Sequence, residues 1–308
     1  FKMISKNIIN LEINELPPSV LKDYILQKPN SVLSKLEKAN KLKIISTLAN
    51  DIEKKDLYPS QTWASFNTGL PFKKHKCYWY SDPLDVKKLF WNKLVKLNVS
   101  IGIVGSLHSS KYPFDLNTNS NYKFYLPDSF TDEIRTKPNF YKSFCILNSK
   151  FVSSSARVTN PLRLLLLLLL NIHQIIIYPK KFGISRFSLK EIFKIIYWSI
   201  KSRNKEYLRM AQFPLLCSIY LDQLKNNDAE YSSIFTNHLA GNMHRYWYAY
   251  NSKSFKYKNR YKEKWIKRNK YSFFFAIDLI DDFIKEIIKL NLLEKKTIIL
   301  TSSMGQEP

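Results

Sequence analysis

Polar and apolar residues alternate from Asn7 to Ile13, and Asn14-Glu15-Leu16-Pro17-Pro18 follows, the pattern of a strand that ends in a turn. Between 19 and 48 the period changes. Val20, Tyr24, Leu33, Leu36 and Leu42 stand at helical spacing, broken at Pro29 and Asn30, so two short helices are expected. The same exchange of periods recurs along the chain. It predicts an amphipathic helix over 85–97, a buried strand over 98–106, a strand completed by Ile234 and Phe235, a helix over 273–290, and a strand over 296–302. Helix followed by strand is the rhythm of βαβ units, so the expected fold class is α/β, a three-layer sandwich around a mostly parallel central sheet.

From 160 to 226 the pattern is helical and mostly apolar, interrupted at Pro161, Pro179 and Pro214. It reads as a helical cap inserted into one principal domain that spans 1–308. Leu164 to Leu170 is an aliphatic run of seven residues. A membrane span needs about 20 apolar residues, so a buried helix or strand is expected there and no transmembrane segment. His173 beside it reads as a core or boundary histidine. Tyr122 to Phe144, with its Leu126-Pro127-Asp128 and Asp132-Glu133-Ile134-Arg135 groups, reads as a surface excursion. Gly102 and Gly105 make no dinucleotide fingerprint, and their expected use is close backbone packing.

Candidate chemistry concentrates in a few stretches. In Tyr58-Pro-Ser-Gln-Thr-Trp-Ala-Ser-Phe-Asn-Thr-Gly69, a proline and hydroxyls open a short helix that Gly69 closes. Ser60 or Thr62 is expected to cap it, and open N–H groups at such a helix start favour an anion. Acid and amide groups, Glu12, Asn14 and Glu15, gather where the first strand ends, the edge at which α/β sheets bind ligands. His238 and His244 follow the strand that ends at Phe235, where imidazoles suit proton transfer or metal binding. Residues 251–271 interleave Lys and Arg with Phe255, Tyr257, Tyr261 and Trp265. That mixture suits nucleic acid or a membrane surface, but a solvated helix face is the reading preferred, so nucleic acid is not the expected partner.

Composition narrows the classes. With 308 residues, 45% of them hydrophobic and 15% aromatic, the chain is globular rather than disordered. Its net charge of +24 attracts anions in general, although Lys, Asn and Ile are abundant throughout and compositional drift accounts for much of the charge. Cys77, Cys145 and Cys217 are widely spaced without a CxxC pair, which argues against a disulfide framework and a structural zinc site and points to a reducing, cytoplasmic compartment. No signal-peptide pattern is visible; Phe1 in place of an initiator Met and an end just after a strand read as a fragment.

Four short motifs, in order and spacing, resemble the alkaline phosphatase superfamily of phosphodiesterases and sulfatases. The first is Leu11-Glu-Ile-Asn-Glu-Leu16, similar to the first strand of a divergent branch. The second is Thr62 to Pro71 with His75 after it, similar to the segment behind the superfamily nucleophile. The third is Ser233 to Trp247, and the fourth Thr301-Ser-Ser-Met-Gly-Gln306. The resemblance implies an alkaline phosphatase-like fold, a phosphate or sulfate ester as substrate, and a divalent metal, zinc or manganese, bound through Glu12 and His244. It implies Ser60, Thr62, His238 and His244 as catalytic candidates and Asn14, Trp63, Asn242, Arg245, Ser303 and Gln306 as substrate contacts. The pattern is also altered. Pro59 falls at the nucleophile position, Ala240 at a metal-binding Asp, and Ser303 and Met304 at an Asp-His pair, a poor donor set for a dication. Two readings follow, a hydrolase with a reduced metal site or a non-catalytic binder of an anionic glycan or phosphorylated ligand. A nucleic-acid or membrane-surface binder acting through 251–271 is the third.

Overall fold

Strand β1 (Asn7–Ile13) places Ile9, Leu11 and Ile13 in one core and turns Ile8, Asn10 and Glu12 to the opposite face. A strand buried on both faces must be central, and β1 is. In the computed structural model it lies between β4 (Tyr231–Thr236) and β5 (Lys296–Thr301), parallel to both, with Leu11 level with Ile234 and with Leu300. Strand β2 (Ile101–Val104) pairs with β4 on its other side, and β3 (Tyr122–Leu126) forms the edge, giving the order β3-β2-β4-β1-β5, all parallel. The structure describes residues 7–45, 58–131, 133–154, 161–255, 261–290 and 296–305.

Helices cover both faces, which is why the strands are apolar on both. The larger core joins Ile9, Leu11, Val104, Phe124 and Ile234 to helices Pro18–Gln27, Gln212–Asn226, His238–Tyr250 and Ser272–Lys289. The smaller core joins Ile101, Ile103 and Tyr231 to Ala64 of helix Pro59–Thr68 and Trp91 of helix Phe90–Lys96. One contact ties the early helices to the late one. Asp281 accepts from the Val32 and Leu33 amides at 2.9 and 2.8 Å, placing a carboxylate at the start of helix Val32–Lys38.

The α/β class and the parallel sheet are as expected, and so are four of the five strands. Three expectations fail. Tyr122–Leu126 is the edge strand β3 and not a surface excursion, because its tyrosines turn inward where a short edge was not legible. Leu166, Leu169 and Leu170, expected inside, are exposed on helix Pro161–Ile177, and His173 is exposed beside them.

Strand order locates the ligand edge. Since β4 lies between β1 and β2, the chain leaves β1 toward β2 but leaves β4 toward β5, and the C-terminal ends of these neighbours form a topological switch point.

Gly102 on β2 lies beneath the Phe124 ring, and a Cβ there would stand 2.0 Å from it. Gly102→Ala is expected to lower stability by about 1–3 kcal/mol in urea unfolding, and Phe124→Leu in the same chain is expected to recover part of the loss.

Candidate functional site

The switch point is built from the residue after each strand. Asn14 follows β1: its backbone N–H donates to Thr236 O at 3.0 Å, and its side-chain amide donates to Asn237 Oδ1 at 2.7 Å. The other side of the same amide accepts from Trp63 Nε1 at 2.8 Å. Trp63 is fully buried, edge-on to Phe235 at 5.4 Å, and so fixes helix Pro59–Thr68 across the end of the sheet. Gly69, in the left-handed region at φ 66°, ends that helix as expected.

Two more pairs extend this contact on either side. Thr62, the neighbour of Trp63, meets Ser303 just beyond β5, with the two hydroxyl oxygens 2.9 Å apart. Glu15, the neighbour of Asn14, has φ 60°, a turn that aims its carboxylate at His244 of helix His238–Tyr250, Oε2 to Nε2 3.1 Å. Ser303, Thr62, Trp63, Asn14, Glu15 and His244 therefore form one continuous band.

Glu15 and His244 are paired at one end of the band. Accepting from His244, Glu15 raises the imidazole above its ordinary 6.5, while burial and nearby Arg245 pull the other way. Tyr80 lies within the field of Glu15: burial, then the charges of Glu15 and Asp128, push its phenol up, and its ring stacks on Phe130 at 4.5 Å. His108, just past β2, donates from Nε2 to Ser60 O at 3.0 Å and is held below its usual value by burial, hence neutral. Neither Tyr80 nor His108 was read as a site residue. A histidine just beyond a central strand was the available signal for His108.

Other expected site residues are elsewhere or differently engaged. Ser60 caps nothing; its hydroxyl donates to Tyr78 O at 2.5 Å. Thr62 does not cap either, and its hydroxyl also reaches Tyr58 O and Pro59 O. The open amides expected at this helix start are largely used, because Pro59 has no N–H and the Gln61 and Thr62 amides both donate to Tyr58 O at 3.0 Å. His238 is a core histidine. Its ring lies 3.9 Å from Phe213, Nε2 donates to Ala276 O, and burial depresses it to about 4, so it stays neutral. Asn242 donates to His238 O and Met210 Sδ, and Arg245 to Gly241 O beside Glu206. Asn242 is thereby turned to the core, and Arg245 acts on His244 through its charge. Gln306 lies outside the described residues.

The metal pair Glu12 and His244 is replaced by Glu15 and His244. Side chains alternate along a strand, so Glu12 points beneath Trp63's helix instead of into the crevice. It is fully buried, accepts from Asn10 Nδ2 at 3.3 Å, and burial raises it to about 8 against the opposing pull of the Ser106 and Ser233 hydroxyls. A protonated acid is a poor ligand. No group of three or more His, Cys, Asp or Glu able to hold a metal exists among the described residues. The donor set that remains, with Ser303 engaged by Thr62 and Met304 after it, does not fit a two-metal centre.

Two titrations check these assignments. Unfolded Glu12 ionises near 4.5 and folded Glu12 near 8, so between these values the folded state holds the extra proton and stability falls as pH rises. Glu12→Gln is expected to flatten that fall, adding stability on the order of a few kcal/mol at pH 8 and little at pH 4.5, measured by urea unfolding. For His244 the contribution of Glu15 is full below 6.5 and lost as pH rises through the raised folded value. In Glu15→Gln the His244 ring resonances are expected to titrate at lower pH than in the wild type.

Compared with models of known families, with curated proteins and with solved structures, the chain matches none.

Proposed function

We propose that this chain binds an anionic ester, a phosphorylated or sulfated small molecule or glycan, in the crevice at the C-terminal ends of β1 and β4, on an alkaline phosphatase-like fold that does without the two-metal centre. The observation that carries this reading is the Thr62–Ser303 hydroxyl pair, held at 2.9 Å in one band with the Glu15–His244 pair. Hydroxyls hydrogen-bond to ester oxygens, the His244 imidazole adds a donor at the other end of the band, and the charge of +24 raises the local concentration of anions.

Binding is favoured over hydrolysis by what surrounds the hydroxyls. A serine or threonine nucleophile needs an adjacent base. The hydrogen-bond partners of Thr62 are a second hydroxyl and two backbone carbonyls, and Ser60 is committed to Tyr78 O. One observation favours the hydrolase reading: the Glu15–His244 pair has the form of a general acid with its orienting carboxylate.

Thermal unfolding of the chain against aryl phosphates, aryl sulfates and sulfated or phosphorylated sugars tests the proposal. A ligand at a hundred times its Kd is expected to add about 2.7 kcal/mol, and Thr62→Val or Ser303→Ala to weaken binding about tenfold, the loss of about 1.4 kcal/mol. A flat response across the panel overturns the proposal. Ester turnover that disappears in His244→Gln would replace it with the hydrolase.

A further inference from the structure

A helix on a protein surface ordinarily turns its apolar stripe inward and its charges outward. Helix Arg186–Lys201 has an inner stripe, with Ser188, Glu191, Ile195 and Ser199 buried, but its outer stripe is apolar as well. Leu189, Phe193, Ile196, Tyr197 and Ile200 repeat at helical spacing and are exposed, Phe193 to 68% and Ile200 to 72%. The helix before it behaves alike. On Pro161–Ile177, Ile175 rests against the core while Leu166, Leu169, Leu170, Ile172, Ile176 and Ile177 are exposed. So much aliphatic surface on consecutive helices marks an interface.

Charge identifies the occupant. From Tyr178 to Lys205 there are eight Lys or Arg residues against one acid, Glu191, which is buried and paired with Lys190 and Lys194. Exposed Arg186, Lys190 and Lys201 border the outer stripe, and Lys201 Nζ lies 4.9 Å from the Trp198 ring and 5.6 Å from that of Tyr197. An apolar stripe, aromatic rings with polar tips and a cationic margin match a lipid headgroup layer over an acyl boundary. A second copy of the chain would bring the same cations against each other. No helix among the described residues is long and apolar enough to cross a membrane.

We infer that helices Pro161–Ile177 and Arg186–Lys201 dock the protein on an anionic bilayer surface, the exposed aliphatic side chains entering the interface and the bordering Lys and Arg pairing with lipid phosphates and carboxylates.

The test is flotation of the full chain with vesicles of phosphatidylcholine alone and with about one third phosphatidylserine. Binding to the anionic vesicles is expected to be about tenfold tighter or more, and to drop by at least about tenfold in Phe193→Glu/Ile200→Glu and in Leu170→Glu/Ile176→Glu. All four side chains are exposed, so circular dichroism and Tm are expected to match the wild type. Failure of the wild type to float with anionic vesicles overturns the inference, as does binding that neither double variant changes. A wild-type dimer in sedimentation velocity that either variant makes monomeric would assign the surface to a second copy instead.

Discussion

Strand β1 is paired on both edges and covered on both faces, so each polar side chain it carries has to be satisfied inside the protein. Asn10 does this with three partners: its amide nitrogen donates to Tyr231 OH and Glu12 Oε1, and its oxygen accepts from Thr301 Oγ1. Those bonds reach both neighbouring strands and therefore fix β1 in register on the face that carries Glu12. Asn14 repeats the arrangement at the strand's end, between Trp63 and Asn237. The geometry of the site descends from this constraint, because a strand held so firmly presents Asn14 and Glu15 at one fixed height above the sheet.

The same burial decides protonation. Glu12 and Glu15 are three residues apart, yet one lies beneath a helix with only uncharged partners and the other meets an imidazole at the surface. Burial holds the first toward its neutral form. The second is the hydrogen-bond partner of a histidine. His238 and His244 divide in the same way along one helix, His238 kept neutral in the aromatic core and His244 raised by a carboxylate. Residue type alone could not have separated either pair, since orientation decides which partners each side chain meets.

That separation also explains what was legible in the sequence. The α/β class, the parallel sheet, the two early helices, Ser272–Lys289 and β1, β2, β4 and β5 follow from periodicity, because long amphipathic segments and doubly buried strands leave strong patterns. The convergence of Glu12, Thr62, His244 and Ser303 on one crevice was an expectation of the resemblance, from the order and spacing of its motifs. Partner identity was not. The choice of Glu15 over Glu12 depends on one residue at positive φ, and the exclusion of His238 and Asn242 on which side of a helix meets Phe213 and Met210. The edge strand β3 escaped because the Leu126-Pro127-Asp128 and Asp132-Glu133-Ile134-Arg135 groups after it made the whole stretch read as surface.

The proposal of an anion in place of a dication rests on the same groups. A dication site needs several ionised acids with free oxygens, and such a cluster repels an anionic ester unless the metal is present. Here burial holds Glu12 toward its neutral form and Glu15 is paired with His244, while Ser303 and Thr62 contribute hydroxyls without charge. On the proposed reading, the net positive charge of the chain attracts an incoming ester, and hydroxyl and imidazole groups meet it in the crevice.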